Sequence, residues 1–188
     1  MSIGDVNSNE RGSGARYNDG KPPLDLIPLR VIADHCISHG HSDEKSIALE
    51  TALQNLASFQ ESGNDAYLHQ AIGWVGAAWD ECADVMGYGT KKYVAWNWIK
   101  GMPWSVPLGC AARHLLFGMM AGEKIDPESG KTHRGHFICN LMMLITFCKT
   151  YPEGNDLPIE WLKPRWKTEH ASREDDARLI AKSNAEAF

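Results

Sequence analysis

No stretch of this sequence supplies the run of about 20 consecutive apolar residues that a membrane-crossing helix needs. The opening "MSIGDVNSNERGSG" is polar and has no hydrophobic centre of a secretory signal, so a cytoplasmic location without membrane attachment is expected. CxxC spacing is also missing. The five cysteines (Cys36, Cys82, Cys110, Cys139, Cys148) are odd in number and lie in apolar contexts, which points to buried free thiols and away from a disulfide framework. A basic excess is lacking too. With 24 acids against 19 Lys and Arg the net charge is −5, which argues against binding of long nucleic acid but leaves room for a nucleotide in a local basic pocket. There is no internal repeat and no long alternating run bounded by turns, so strands are not expected.

What is present suits one domain. A chain of 188 residues, 43% of them hydrophobic, buries roughly 70% of the surface its unfolded form exposes. Residues 1–15 are rich in Gly, Ser, Asn and charge and read as a flexible arm; residues 167–188 read as a polar tail, with one short polar helix near 170–185. Between them, 16–166 reads as a single all-α domain, a bundle of four or more helices. Ser42 or Asp43 can cap a helix over about 43–61 that ends at Gly63-Asn64. A second helix is expected over about 65–86, with Leu68, Ala71, Ile72, Val75, Trp79, Cys82 and Val85 on a wide apolar stripe. A third follows over about 106–121, and a fourth, with Thr132 as N-cap, over about 132–150. The connection around 87–105, "GYGTKKYVAWNWIKGMPWS", is long and full of Gly, Lys and aromatics, as functional loops are.

The chemistry gathers in "GEKIDPESGKTHRGHFICN", residues 122–140. Once Thr132 starts a helix, His133, His136 and Asn140 fall at i, i+3 and i+7 and share one face. Glu123 and Asp126 stand just before them in the loop, with Ser129 in the turn. Two acids and two imidazoles at one corner suit a divalent cation; Mg²⁺ favours oxygen ligands, whereas imidazole suits Mn²⁺, Zn²⁺ or Fe²⁺ better. The alternative is a solvated turn whose histidines cap and pack. His114, beside Arg113 in the third helix, lies at a matching depth and can face His136 and Asn140 across the hairpin. Glu81 and Asp84, at i and i+3, form a second acidic pair that puts two carboxylates on one helix face. In the long loop Lys91 and Lys92 can neutralise phosphates, Tyr93, Trp96, Trp98 and Trp104 offer ring faces for a base, and Asn97 can read a base edge. Arg16, Asn18 and Lys21 can close over a phosphate from the N-terminal side.

The blocks "RYNDGKPPLDLIP", "YGTKKYVAWNWIKGMPWS" and "AARHLLFGMMAGEKIDPESGKTHRGHFICNLMMLITF" resemble a set of mostly phage-borne proteins named for a dATP/dGTP diphosphohydrolase N-terminal domain, allied with the MazG-like all-α pyrophosphohydrolases. The likeness covers about 15–28 and 84–150, and residues 35–80 look like an insertion between the blocks. The MazG-type EExxE motif is absent; only Glu81-x-x-Asp84 resembles its second half.

That resemblance implies a metal-dependent hydrolase, using Mg²⁺ or Mn²⁺, that turns a purine deoxynucleoside triphosphate into the monophosphate and pyrophosphate. In this reading acids from Glu123 and Asp126, or from Glu81 and Asp84, hold metal, and His133, His136 or His114 supplies base catalysis. Lys91, Lys92, Tyr93, Asn97, Trp98, Arg113, Asn18, Lys21, Ser129 and Asn140 bind substrate. Homo-oligomerisation is expected from the amount of apolar surface such a bundle leaves. Two other readings remain open: a non-catalytic nucleotide-sequestering protein, and a structural or interaction module.

Overall fold

A computed structural model describes residues 2–18, 20–38 and 42–162. The polar tail expected over 167–188, with its helix near 170–185, lies outside the described residues. The fold is an all-α bundle. In chain order it contains α1 (Leu29–Ser38), α2 (Glu44–Ser62), α3 (Ala66–Val75), α4 (Trp79–Gly89), α5 (Ser105–Arg113), α6 (His133–Thr150) and a short α7 (Ile159–Leu162). No helix among the described residues is long and apolar enough to cross a membrane.

Caps set three of these boundaries. The Asp43 carboxylate accepts the backbone N–H of Ser46 at 2.9 Å to start α2, and Gly63 closes it in the left-handed conformation, φ 68°. The Thr132 hydroxyl accepts the N–H of Gly135 at 3.0 Å to start α6. α6 is the axis of the bundle. Phe137, Ile138, Leu141, Leu144 and Phe147 are buried around it, and it packs against α3, α4 and α5. A helix covered on this many sides has no single apolar stripe. Each of its large side chains contributes roughly 1.5–3 kcal/mol by leaving water.

Three local expectations change. The helix expected over 65–86 is two helices, because Gly76 adopts φ 76°, a backbone state that ends α3 and that only glycine takes easily. The apolar period restarts after the break, which leaves Trp79 half exposed instead of on the inner stripe. The helix expected over 106–121 keeps α geometry only to Arg113; His114–Met119 widen into a π-helical turn. Lastly, strands are not wholly absent: Ser2–Ile3 pair antiparallel with Arg16–Tyr17.

The segment expected as a flexible arm makes defined contacts with the long loop. Gly12 and Gly14 donate backbone hydrogen bonds to the carbonyls of Lys100 and Gly101, at 2.6 and 2.8 Å. Lys100 Nζ donates to the carbonyl of Ser8 at 2.7 Å, and Asn97 Nδ2 to that of Ala15 at 3.2 Å. These bonds bring Arg16, Asn18 and Lys21 over the end of α6 that carries the histidines.

Candidate active site

Widening a helix by one residue per turn shifts every side chain after the insertion, and π turns recur at functional sites for that reason. Here the π turn carries His114 toward α6. Its Nδ1 lies 3.0 Å from Nδ1 of His133, and its ring stacks on that of His136, centroids 4.4 Å apart and planes 9° from parallel. Gly118, in the same turn, leaves the room that the His133 ring fills: a Cβ built there would stand 2.3 Å from the ring.

The loop between the π turn and α6 delivers the acids. Ile125 and Thr132 form a single β-bridge that folds 122–132 back on itself, and His133 N–H donates to the carbonyl of Lys124 at 3.0 Å. Inside the turn the Ser129 amide and hydroxyl both donate to Asp126 Oδ2, at 2.9 and 2.7 Å. The same hydroxyl lies 2.7 Å from His136 Nε2. Since its single proton goes to the carboxylate, His136 Nε2 is the donor in that second contact. Asp126, Ser129 and His136 thus form one chain of hydrogen bonds. Glu123 Oε2 approaches the other side of His133, 3.5 Å from its Nε2.

Burial keeps the imidazoles of His114 and His136 neutral. It pushes His114 down to about 2, helped by the neighbouring His136 and His133 and by Arg16 and Arg113. It pushes His136 down to about 4, with Asp126 opposing and Arg16 adding to the fall. Imidazole nitrogens and carboxylate oxygens are lone-pair donors, and His114, Asp126 and His133 each offer a ligand atom within 4.8 Å of the others. The donor set therefore fits a divalent ion.

Around this corner a cavity of about 280 Å³ opens. Arg16, Lys21, Lys92 and Arg113 line it, and so do Tyr93, Trp96 and Trp98. Glu128 sits between two of the cations, 2.7 Å from Lys21 Nζ and 2.9 Å from Lys92 Nζ. Those bonds hold its carboxyl down to about 2 and raise the Lys92 ammonium above its usual range. Arg113 is fixed on Asn18 Oδ1 at 3.0 Å and on the carbonyl of Pro22 at 2.9 Å. Arg16 Nη2 donates to Asn140 Oδ1 at 2.8 Å, and the Asn140 amide donates in turn to the carbonyl of His136 at 2.7 Å. Asn140 is wholly buried, so it acts from beneath the cavity by orienting Arg16.

Of the other expected site residues, Glu81, Asp84 and Lys91 stand apart from it, while Asn97, Tyr93, Trp96 and Trp98 border it. Glu81 is paired with Arg134, whose Nε donates at 3.1 Å, and it also accepts the Thr132 hydroxyl at 2.6 Å. These bonds lower its carboxyl below the usual range. Asp84 lies exposed, 3.4 Å from Lys131 Nζ. Neither lines the cavity. Lys91 rests over the Tyr88 ring at 5.9 Å, outside the lining. Asn97 borders the cavity, but its amide is committed to Ala15. Tyr93 borders it too and accepts the Tyr17 N–H at 2.8 Å. Trp98 packs on Phe147, ring centroids 6.2 Å apart, while Trp96 is 68% exposed and holds φ 64°, the one non-glycine with positive φ among the described residues.

Sequence reasoning missed Gly118 and the partnership of Glu128 with two lysines. A glycine inside an apolar helical pattern is the signal that marks Gly118. No local signal pairs Glu128 with lysines 36 residues away or on the N-terminal segment.

A cation-lined cavity beside a histidine–carboxylate corner, set in an all-α bundle, is the class of site that fold and geometry define. The chain belongs to the family described as dATP/dGTP diphosphohydrolase, N-terminal, whose model matches residues 60–157. The match begins inside the stretch read as an insertion, and the "RYNDGKP" block lies outside it. No curated protein and no solved structure matches the chain.

Proposed function

We propose that the protein is a metal-dependent nucleotide pyrophosphohydrolase that cleaves a purine deoxynucleoside triphosphate, dATP or dGTP, to the monophosphate and pyrophosphate. The observation that carries this reading is the convergence of Arg16, Lys21, Lys92 and Arg113 on one cavity with the His114–Asp126–His133 cluster. The family description supports the substrate class.

Four cations line one cavity, Lys21 and Lys92 of them paired with Glu128, and they can stabilise the charge that builds on a breaking phosphoanhydride. A bound divalent ion supplies Lewis acidity and a more acidic water at the phosphate. His136 is placed to accept a proton, because its Nε2 is engaged by Ser129 and its other ring nitrogen keeps a lone pair. The exposed Trp96 ring and Tyr93 offer faces on which a base stacks.

The test is incubation of the full chain with each deoxynucleoside triphosphate and Mg²⁺, Mn²⁺ or Co²⁺, with products separated by chromatography. Monophosphate and pyrophosphate from the purine nucleotides support the reading. Unchanged nucleotide with every metal overturns it, and calorimetric binding without turnover would assign a sequestering role.

A further inference from the structure

We propose that His114, Asp126 and His133 form a two-imidazole, one-carboxylate site for a divalent transition ion, of the class that includes Mn²⁺ and Co²⁺, and that Glu123 orients His133 from behind. The site lies within the hydrolase reading above. What is added is the ligand set, the supporting acid and the class of metal, and the exclusion of the Glu81–Asp84 pair.

Three observations point the same way. First, two imidazole nitrogens face each other: Nδ1 of His114 and Nδ1 of His133 are 3.0 Å apart. Imidazole nitrogen binds Zn²⁺ at about 2.0–2.1 Å, and at bond lengths near that value two neighbouring ligands at a right angle on one ion stand about 3.0 Å apart. Second, His133 Nε2 is buried and has no hydrogen-bond partner, although Glu123 Oε2 is only 3.5 Å away. A histidine that ligates through Nδ1 carries its proton on Nε2, and ligating histidines hand that proton to a carboxylate or carbonyl. A small approach by the Glu123 side chain completes that bond. Its backbone N–H is already anchored to the carbonyl of Gly118 at 2.9 Å. Third, Asp126 is oriented in advance by the two Ser129 donors, as ligating carboxylates are.

The donor set selects the ion. Mg²⁺ seeks near-octahedral oxygen and keeps its water, whereas imidazole nitrogen favours first-row transition ions. Three protein ligands leave coordination positions open. The Glu81–Asp84 pair offers only oxygens, and Glu81 is neutralised by Arg134.

Binding is measured on the full chain with Mn²⁺ alone and with Mg²⁺ alone, by calorimetry and by the electron-spin resonance of free Mn²⁺. The proposal expects one Mn²⁺ per chain, bound at least about tenfold more tightly than Mg²⁺. His114→Gln and His133→Gln should each weaken Mn²⁺ by more than about tenfold, Glu123→Gln by about tenfold, and Asp84→Asn by less than about twofold. Equal affinity for the two ions overturns it, as does Mn²⁺ affinity that survives both histidine changes. Should those variants fail to fold, paramagnetic broadening in the wild-type protein decides. Imidazole signals of His114 and His133 must disappear first; broadening that starts at any other histidine overturns the assignment. Nucleotide is absent throughout, so the two readings fail separately. Tight Mn²⁺ binding without turnover removes only hydrolysis, and turnover with Mg²⁺ but no binding at these histidines removes only this site.

Discussion

The imidazole of His133 occupies the space that a side chain on Gly118 would take, with a built Cβ 2.3 Å from ring atoms. The π turn and the first turn of α6 are therefore locked together at the histidine cluster. Gly118→Ala should push the ring away from His114 and destabilise the fold by about 1–3 kcal/mol, despite alanine's better helix propensity. Thermal unfolding and a Mn²⁺ titration check it together. An unchanged melting temperature with unchanged Mn²⁺ binding would mean that the turn yields without moving His133.

Asn140 connects the floor of the cavity to its roof, accepting from Arg16 and donating to the His136 carbonyl. Asn140→Ala removes the acceptor from a guanidinium and should cost about 1–3 kcal/mol of stability. It should also weaken nucleotide binding, because Arg16 loses its orientation. Denaturant unfolding and calorimetry with a nonhydrolysable triphosphate analogue separate the two effects.

Glu128 occupies the two ammonium groups that face the cavity, Lys21 and Lys92. A phosphate must compete with it for both. Glu128→Gln should lower KM for the nucleotide by about two- to fivefold at low ionic strength, the scale of a partly exposed ion pair. Added salt should shrink the difference. A raised KM would show that Glu128 positions the lysines instead of competing for them.

Acid should destabilise the protein well above the carboxylate range. The unfolded chain protonates its histidines near pH 6.5. The folded chain protonates His136 only near 4 and His114 near 2. Between those limits the unfolded state holds more protons, so stability falls as pH drops from about 6.5 toward 4. Melting temperatures over that range should fall steadily, and His136→Gln should flatten the slope. A slope that the substitution leaves untouched would mean that His136 is not the group responsible.

Much of the helical frame was legible because helix signals are local. Periodicity and caps located α2 and α6 to within about two residues, at Asp43, Gly63 and Thr132. The stripe of His133, His136 and Asn140 follows from the 3.6-residue turn alone. The break at Gly76 escaped notice because the apolar residues on either side continue in nearly helical step; one glycine's dihedral angle, not the pattern, ends α3.

Which side chains meet is decided at longer range. Glu81 and Asp84 share a helix face as their spacing requires, yet Arg134 and Lys131 claim them, because α4 lies beside the start of α6. His114 reaches the site through a π turn that its sequence does not announce. Glu128 meets Lys21 and Lys92 only after the N-terminal segment and two loops have been folded over one another. Local composition determined that this chain forms helices and that one corner of it is rich in ligand-type groups. Tertiary packing determined which of those groups became neutral, buried and close enough to act together, since desolvation and contact depend on neighbours that are distant in the chain.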